Sequence, residues 1–212
     1  MNRGRGAGNA PQTIPQLLSH ASREYGSGIA IEDGETHLSF EDLQAHAHRA
    51  ARAFMGVGVE SGDRVALWAP NIWEWVVAAL GIHCAGGVLV PINTRFKGEE
   101  AAYVLEKSRA RMLFTVQGFL GNDYVALLRG ARGGAKGERP VDGLEYLERV
   151  VILRGDVPEA TQSWSDCMAT APQVESEAAA NRSAEVAADD LSDILFTSGT
   201  TGHPKGVMHS HI

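Results

Sequence analysis

The residue types that bind a phosphate group occur together in one short segment, residues 197–206, which reads Thr-Ser-Gly-Thr-Thr-Gly-His-Pro-Lys-Gly. Its glycines let the backbone approach a ligand closely, because they lack a Cβ and adopt positive φ readily. Backbone N–H groups and short hydroxyl side chains can then surround an anion, while Lys205 adds a compact positive charge. The segment therefore predicts a loop that binds a polyphosphate, with ATP as the obvious ligand. The candidate residues are Thr197, Ser198, Gly199, Thr200, Thr201, Gly202, Lys205 and Gly206.

This loop differs from the Walker A P-loop, in which a Gly-Lys pair is followed by Ser or Thr. Here Pro204 precedes the lysine and Gly206 follows it. Pro204 also disfavours an ordinary helix entry of the kind that dinucleotide-binding folds use after their glycine-rich loop. The apolar run 194–196 before the loop and the run 206–209 after it both indicate short strands, so we expect the loop to connect two strands.

Residues 197–206 resemble, without a gap, the signature loop of the adenylate-forming superfamily, which has the pattern Thr-Ser-Gly-Thr-Thr-Gly-x-Pro-Lys-Gly. That superfamily comprises acyl-CoA synthetases, the adenylation domains of peptide synthetases, and firefly luciferase. Two weaker segments, 38–43 and 62–93, resemble further conserved segments of the family in the same order. The resemblance extends over residues 12–212 and is least informative between 130 and 190.

The resemblance implies a two-step reaction. A carboxylate attacks the α-phosphorus of Mg-ATP to give acyl-AMP and pyrophosphate, and a thiol, usually that of coenzyme A, then displaces AMP. By resemblance, the side chains of Ser198, Thr200, Thr201 and Lys205 hold the β- and γ-phosphates, and the backbone of Gly199 and Gly202 closes around them. The implied small molecules are therefore a carboxylic acid, ATP, Mg²⁺ and coenzyme A.

The chain contains no match to the later motifs of this family. These are the aromatic-Gly-x-Thr-Glu segment whose Glu helps to hold magnesium, the Asp that binds ribose, the hinge, and the C-terminal lysine that drives adenylation. The resemblance therefore predicts a partial AMP-binding domain over 12–212 without the C-terminal lid domain. We expect no complete catalytic set and no metal ligand in these residues, and no activity from the 212-residue chain alone.

The sequence indicates the family more specifically than it indicates the subfamily or the molecule that accepts the acyl group. The runs 68–75 and 91–96 are similar to fatty-acid and steroid-side-chain CoA ligases, which favours an acyl-CoA synthetase. One alternative is an aryl-acid or amino-acid adenylation domain that loads a carrier protein, which a downstream carrier domain would favour. Another is an inactive, truncated chain that binds nucleotide weakly. The acid and the oligomeric state stay open.

The composition is that of a soluble globular protein. A net charge of −7 argues against an extended nucleic-acid or anionic-membrane surface. The longest apolar stretch, 75–90, is interrupted by His83 and glycines and is too short to span a bilayer. Cys84 and Cys167 lie far apart and outside any metal-ligand spacing, which favours a reducing, cytoplasmic location.

Helical and strand patterns alternate along the chain. This alternation predicts an α/β fold with a largely parallel sheet and helices on both faces, as in a truncated N-terminal subdomain of the adenylate-forming fold. Ser39 is the expected N-cap of the second helix, with Asp42 as its capping-box partner, and Asn71 is the expected N-cap of the third. Helices are predicted over 14–25, 40–55, 72–84, 98–107 and 163–169, and strands over 28–32, 36–40, 64–68, 88–92, 112–116, 150–153 and 194–197.

Three segments are expected to be loosely organised, namely a flexible N-terminus over 1–11 and the stretches 130–143 and 155–190. The histidines show no metal-ligand spacing, and His203 occupies the variable position of the loop. His211 matches a frequent histidine of the family, for which packing and substrate contact are both open.

Overall fold

The computed structural model describes residues 10–135, 139–197 and 204–212. Most of the predicted N-terminal segment and part of the stretch 130–143 lie outside these ranges. The strands are β1 (Ile29–Asp33), β2 (Thr36–Ser39), β3 (Arg64–Trp68), β4 (Val88–Pro91), β5 (Met112–Thr115), β6 (Arg149–Ile152), β7 (Gln162–Ser163), β8 (Leu191–Thr197) and β9 (Lys205–Ser210). The α-helices are α1 (Ile14–Tyr25), α2 (Phe40–Gly56), α3 (Trp73–Cys84), α4 (Gly98–Ser108), α5 (Tyr124–Arg132), α6 (Trp164–Ala169) and α7 (Ser176–Glu185).

A seven-stranded sheet with the order β7-β6-β5-β3-β4-β8-β9 forms the centre of the fold. Its neighbouring strands are parallel except for β9, which is antiparallel to β8. From β3 the chain passes through α3 to β4 on one side, and from β4 through α4 to β5 on the other side of β3. Because such crossovers are right-handed, α3 and α4 lie on opposite faces of the sheet, which confirms the predicted fold class.

The helices α2 and α3 pack very closely because the residues between them are small. A Cβ added to Gly81 of α3 would lie 2.6 Å from the Ala50 Cβ and 3.0 Å from the Phe54 ring. Ala47, Ala50 and Phe54 belong to the apolar face of α2, and all three are fully buried. The spacing between α2 and α3 therefore depends on the absence of a side chain at position 81.

The predicted start of α2 is confirmed. The Ser39 Oγ accepts a hydrogen bond from the Asp42 backbone N–H at 3.1 Å, and the Asp42 carboxylate accepts one from the Ser39 backbone N–H at 3.0 Å. This reciprocal capping box satisfies two backbone donors that have no partner within the helix.

The predicted N-cap of α3 is wrong. Ile72, not Asn71, occupies the N-cap position and provides no side-chain hydrogen bond. The Asp33 carboxylate at the end of β1 instead accepts from the Trp73 backbone N–H at 3.1 Å. Arg154 holds that carboxylate and also binds Glu74 of α3 through two hydrogen bonds. The capping group lies 40 residues earlier in the chain, so local sequence gave no sign of it.

Within the stretch 155–190 the structure contains α6, close to the predicted helix, and also α7, which was not predicted. Only Ala179 of α7 is buried. A helix that buries one residue has a weak apolar periodicity, which explains why the sequence pattern did not reveal it.

Candidate phosphate-binding site

The β8–β9 hairpin brackets the candidate phosphate-binding loop. Thr197 is the last residue of β8 and pairs with Lys205, the first residue of β9. The predicted placement of the loop between two strands is therefore confirmed. The candidate residues Ser198, Gly199, Thr200, Thr201 and Gly202, together with His203, lie outside the described residues.

The loop begins at the edge of the sheet where the parallel strands end. Since β8 runs parallel to β4, its carboxyl end lies at the same edge as the carboxyl ends of β3 and β4. A cavity of about 400 Å³ opens there beside β3 and β4, and Asn71, Asn93 and Thr94 contribute to its lining. Open α/β sheets bind their ligands at this edge, so Thr197 and Lys205 lie at the edge where a ligand is expected.

Lys205 is exposed and forms no salt bridge with any residue in the described ranges. An ammonium group on a flexible stem at the end of the loop is available to an anionic ligand. Among the predicted site residues, the structure therefore brings Thr197 and Lys205 together across the hairpin.

Gly206 has a packing role that the sequence pattern did not indicate. A Cβ at this position would lie 3.0 Å from Ile194 Cγ2 and 3.2 Å from the Phe196 ring of β8. The Phe196 ring in turn makes an edge contact with Tyr103 of α4 at a centroid distance of 6.5 Å. Because residue 206 has no side chain, the side chains of Ile194 and Phe196 in β8 can pack over the backbone of β9 directly after Lys205.

Ser192 closes the opposite end of the hairpin. Its hydroxyl lies 3.1 Å from the His209 carbonyl and 2.9 Å from the Ser210 carbonyl, and the residue is buried. The β8–β9 ladder is irregular between residues 191 and 193, where the register shifts. The serine hydroxyl therefore supplies a hydrogen bond across the hairpin at this irregular position.

His83, Asp193 and His211 form a cluster beside that end of the hairpin. The His83 Nε2 lies 3.8 Å from the Asp193 carboxylate, and the His83 and His211 rings are 5.6 Å apart in an edge-to-face arrangement. The His211 Nδ1 accepts a hydrogen bond from the backbone N–H of Ile14 at 3.3 Å. We call these three side chains the histidine cluster.

Burial lowers the pKa of His83 to about 4, while the Asp193 charge opposes this shift and His211 adds to it. Burial also lowers the pKa of His211, against the charges of Asp193 and Asp190. Both imidazoles are therefore neutral at pH 7, and the His83–Asp193 contact joins a neutral ring to a carboxylate.

The involvement of His83 and Asp193 was not predicted from the sequence. His83 appears in the sequence only as an interruption of an apolar helix, and Asp193 only as a polar residue before the apolar run of β8. Sequence separation hid the cluster, because its members come from α3, from β8 and from the residue that follows β9.

No group of three or more His, Cys, Asp or Glu side chains within the described ranges is arranged to hold a metal ion. Among the helices of those ranges, none combines the length and the apolar character needed to cross a membrane.

A family model described as AMP-binding enzyme matches residues 18–212 of the chain. The chain is 41% identical over 202 residues to a methyl-dioxo-octahydroindenyl-propanoyl:CoA ligase of Rhodococcus jostii, and 38% identical over 203 residues to the ligase of the same description from Mycobacterium tuberculosis. These matches cover 95% and 96% of this chain but 38% and 37% of the two ligases. The chain thus spans a little over a third of the length of these curated relatives.

Two solved structures resemble the fold closely. The anthranilate CoA ligase AuaEII in complex with anthranoyl-AMP superimposes with a TM-score of 0.77 at 28% identity, over 95% of this chain and 36% of that one. The N-terminal domain of FACL13 from Mycobacterium tuberculosis superimposes with a TM-score of 0.72 at 25% identity, over 94% of this chain and 44% of that one.

Proposed function

Because the chain belongs to the AMP-binding enzyme family, we propose that it forms the phosphate-binding part of a ligase that activates a carboxylic acid with ATP. The acid is converted first to acyl-AMP and then, by coenzyme A, to acyl-CoA. The observation that carries this proposal is the β8–β9 hairpin, in which Thr197 and Lys205, the residues on either side of the undescribed part of the loop, pair at the carboxyl edge of the parallel sheet.

The roles proposed for the loop follow from the charges of the reactants. A carboxylate and a triphosphate repel each other, so the site must neutralise negative charge and align the attacking oxygen. In the proposal, Lys205 binds the β- and γ-phosphates together with the hydroxyls of Ser198, Thr200 and Thr201. Thr197, Gly199, Gly202 and Gly206 complete the loop around the anion.

Magnesium enters this proposal only as the ion that accompanies ATP. The described residues contain no cluster suited to a metal, and the resemblance assigns the magnesium ligand to a motif that these 212 residues do not include. For the same reason we propose that the 212-residue chain alone does not complete the reaction.

The proposed acid is a fused-ring diketone that carries a propanoate side chain, within the steroid-derived class that the sequence resemblance favours. Support comes from the names of the two indenyl-propanoyl:CoA ligases, at 41% and 38% identity. A long-chain-fatty-acid CoA ligase of Mycobacterium tuberculosis is 30% identical over 177 residues. A fatty acid is therefore the next class of acid to consider.

This proposal is tested by measuring the release of pyrophosphate by the full-length enzyme, as its native cell makes it. The acids to compare are a ring-bearing propanoate, a long-chain fatty acid of similar carbon number, and anthranilate. We expect ATP- and acid-dependent release, highest with the ring-bearing acid, and acyl-CoA when coenzyme A is added. Release with fatty acids alone would contradict the ring-derived substrate, and no release with any acid would contradict the ligase function.

An aryl-acid or amino-acid ligase is a second candidate, favoured by the structural likeness to the anthranilate CoA ligase. In that case anthranilate-like acids would release pyrophosphate. Loading of a carrier-protein thiol in place of coenzyme A would identify the adenylation-domain alternative.

We also propose a cytoplasmic location. Its support is that both cysteines, Cys84 and Cys167, are free and buried, as expected in a reducing compartment.

A further inference from the structure

The β8–β9 hairpin is joined to the rest of the sheet by little regular pairing. Its register with β4 consists of one residue pair, Leu89 with Asp193. Every residue of β9 is exposed, and β9 pairs with β8 alone. The hairpin is otherwise held by apolar packing, in which Ile194 joins the core and Phe196 contacts Tyr103, so polar contacts near Asp193 can add to its positioning.

The histidine cluster lies at this junction. Asp193 is the residue of β8 that pairs with β4, and its carboxylate faces His83, which is only 3% exposed. The His83 Nδ1 is buried and has no hydrogen-bond partner in the described parts of the chain. An unpartnered polar atom of this kind is costly, so a purely structural core would favour an apolar residue at position 83.

His211 connects the end of β9 to the start of α1. The Ile14 N–H belongs to the first residue of the helix and has no partner within it. Because this N–H donates to the His211 Nδ1, that nitrogen must carry a lone pair, and the proton of the neutral ring lies on Nε2. Protonation of His211 would place a donor against a donor and remove the bond.

We propose that His211 is a positioning residue. Its unprotonated Nδ1, in a ring packed beside His83 and Asp193, fixes the β8–β9 hairpin against α1 and the sheet. The hairpin is released when the ring is protonated. This role rests on the proposed function, since it assigns to His211 the orientation of the loop that binds ATP. It also decides between the packing and substrate-contact roles left open for this histidine, in favour of a defined hydrogen bond.

The charged and titratable groups around His211 come from each element packed against it. They are His83 from α3, Asp193 from β8, and Asp190 from the turn before β8. The contact from α1 is an uncharged backbone amide. His209 pairs with Asp193 across the ladder, but its side chain is exposed.

Amide hydrogen exchange in the 212-residue chain, without ATP or acid, tests the proposal at about pH 7.5 and about pH 4.5, where a free histidine is neutral and charged respectively. After correction for the intrinsic effect of pH, acidification should lower the protection of the Ile14 amide and of β8–β9 by about three- to tenfold, as expected for one lost hydrogen bond. The amides of β3 and β5 report any global loss of stability on acidification, so the effect is read as the loss of protection of Ile14 and β8–β9 in excess of theirs.

Three variants make the test specific. His211→Asn places an oxygen acceptor that does not titrate at the position of Nδ1, so we expect no loss of protection at Ile14 and β8–β9 beyond that of β3 and β5. His211→Ala has no acceptor at this position, so the Ile14 amide and β8–β9 should show the lower protection at both pH values. His209→Asn, a matched change of an exposed histidine in the same hairpin, should behave as the wild-type chain does.

The proposal is overturned if His211→Asn retains the wild-type pH dependence, or if the wild-type hairpin is equally protected at both pH values. If His211→Ala does not fold, the comparison of His211→Asn with the wild-type chain still tests the proposal. Hydrogen exchange requires no catalytic turnover, so its result is independent of the ligase assay. A hairpin that responds as expected in an enzyme that activates no acid would contradict the proposed function alone.

Discussion

Lys205 is the described residue on which the proposed ATP site depends most directly. It follows the candidate loop, pairs with Thr197 across the hairpin, and forms no salt bridge with a described residue. Structural ion pairs do not explain its presence, whereas binding of a phosphate would.

Replacing Lys205 with Ala should raise the KM for ATP and slow adenylation, by about 10- to 1000-fold in kcat/KM, because one charge-stabilising contact is lost. The measurement is acid-dependent pyrophosphate release by the enzyme at its natural length. Lys107→Ala, on the exposed last turn of α4, is the matched control and should leave the rate unchanged. Equal rates for the Lys205 variant and the wild type would remove Lys205 from the site.

Acid should destabilise the fold through His83. Its pKa is about 4 in the folded state, because of burial, whereas a free histidine has a pKa near 6.5. Between these values the unfolded chain binds the proton and the folded chain does not. Stability therefore falls as the pH falls through this window, by up to about 3 kcal/mol.

Urea unfolding at several pH values tests this effect. His83→Gln removes the titrating ring and should flatten the dependence of the unfolding free energy on pH between about 4 and 6.5. His20→Gln, on the exposed face of α1, should leave the slope as in the wild type. A His83→Gln slope equal to that of the wild type would contradict the assignment.

At the scale of elements, the close packing of α2 on α3 depends on Gly81. A Cβ at this position would lie 2.6 Å from the Ala50 Cβ and 3.0 Å from the Phe54 ring. The absence of a side chain at residue 81 therefore allows the two helices to approach each other this closely.

Gly81→Ala should destabilise the protein by about 1–3 kcal/mol, since the new methyl group would lie 2.6 Å from the Ala50 Cβ. Gly130→Ala in α5 is the matched control, because a Cβ at that position meets nothing within 4 Å. That change should stabilise the protein by about 0.5–1 kcal/mol, through helix propensity. Thermal unfolding of both variants checks the prediction, and destabilisation of both to the same extent would contradict it.

At the scale of the whole molecule, the chain is a parallel α/β unit whose last hairpin exposes apolar side chains. Leu195, Val207, Met208 and Ile212 are all exposed. The relatives that match this unit over almost its whole length are more than twice as long. The proposed reaction therefore belongs to a molecule of the relatives' size.

We expect the protein isolated from its native cell to have a mass well above 22.7 kDa, the mass of these 212 residues. Intact-mass spectrometry measures this directly. The 212-residue chain and the native protein should then be compared in the same pyrophosphate assay, with activity expected only in the native protein. Equal activity of the two would contradict the proposal that this unit does not complete the reaction.

The amino-acid sequence alone determined the family, the fold class and the position of the loop between two strands. These features depend on local information: the spacing of apolar residues, the capping box at Ser39 and Asp42, and a contiguous ten-residue motif. Local signals of this kind are readable because each depends on residues a few positions apart. The roles of the individual loop residues stay predictions, because most of them lie outside the described part of the chain.

Only the tertiary structure decided which distant residues meet. Asp33 caps α3 from 40 residues away, and His211 accepts from Ile14 at a separation of 197 residues. The order of the strands brings His83 to Asp193, although neither residue belongs to a sequence motif. Such contacts arise when the chain buries its apolar surface and its remaining polar groups find partners, and one-dimensional spacing does not encode that outcome.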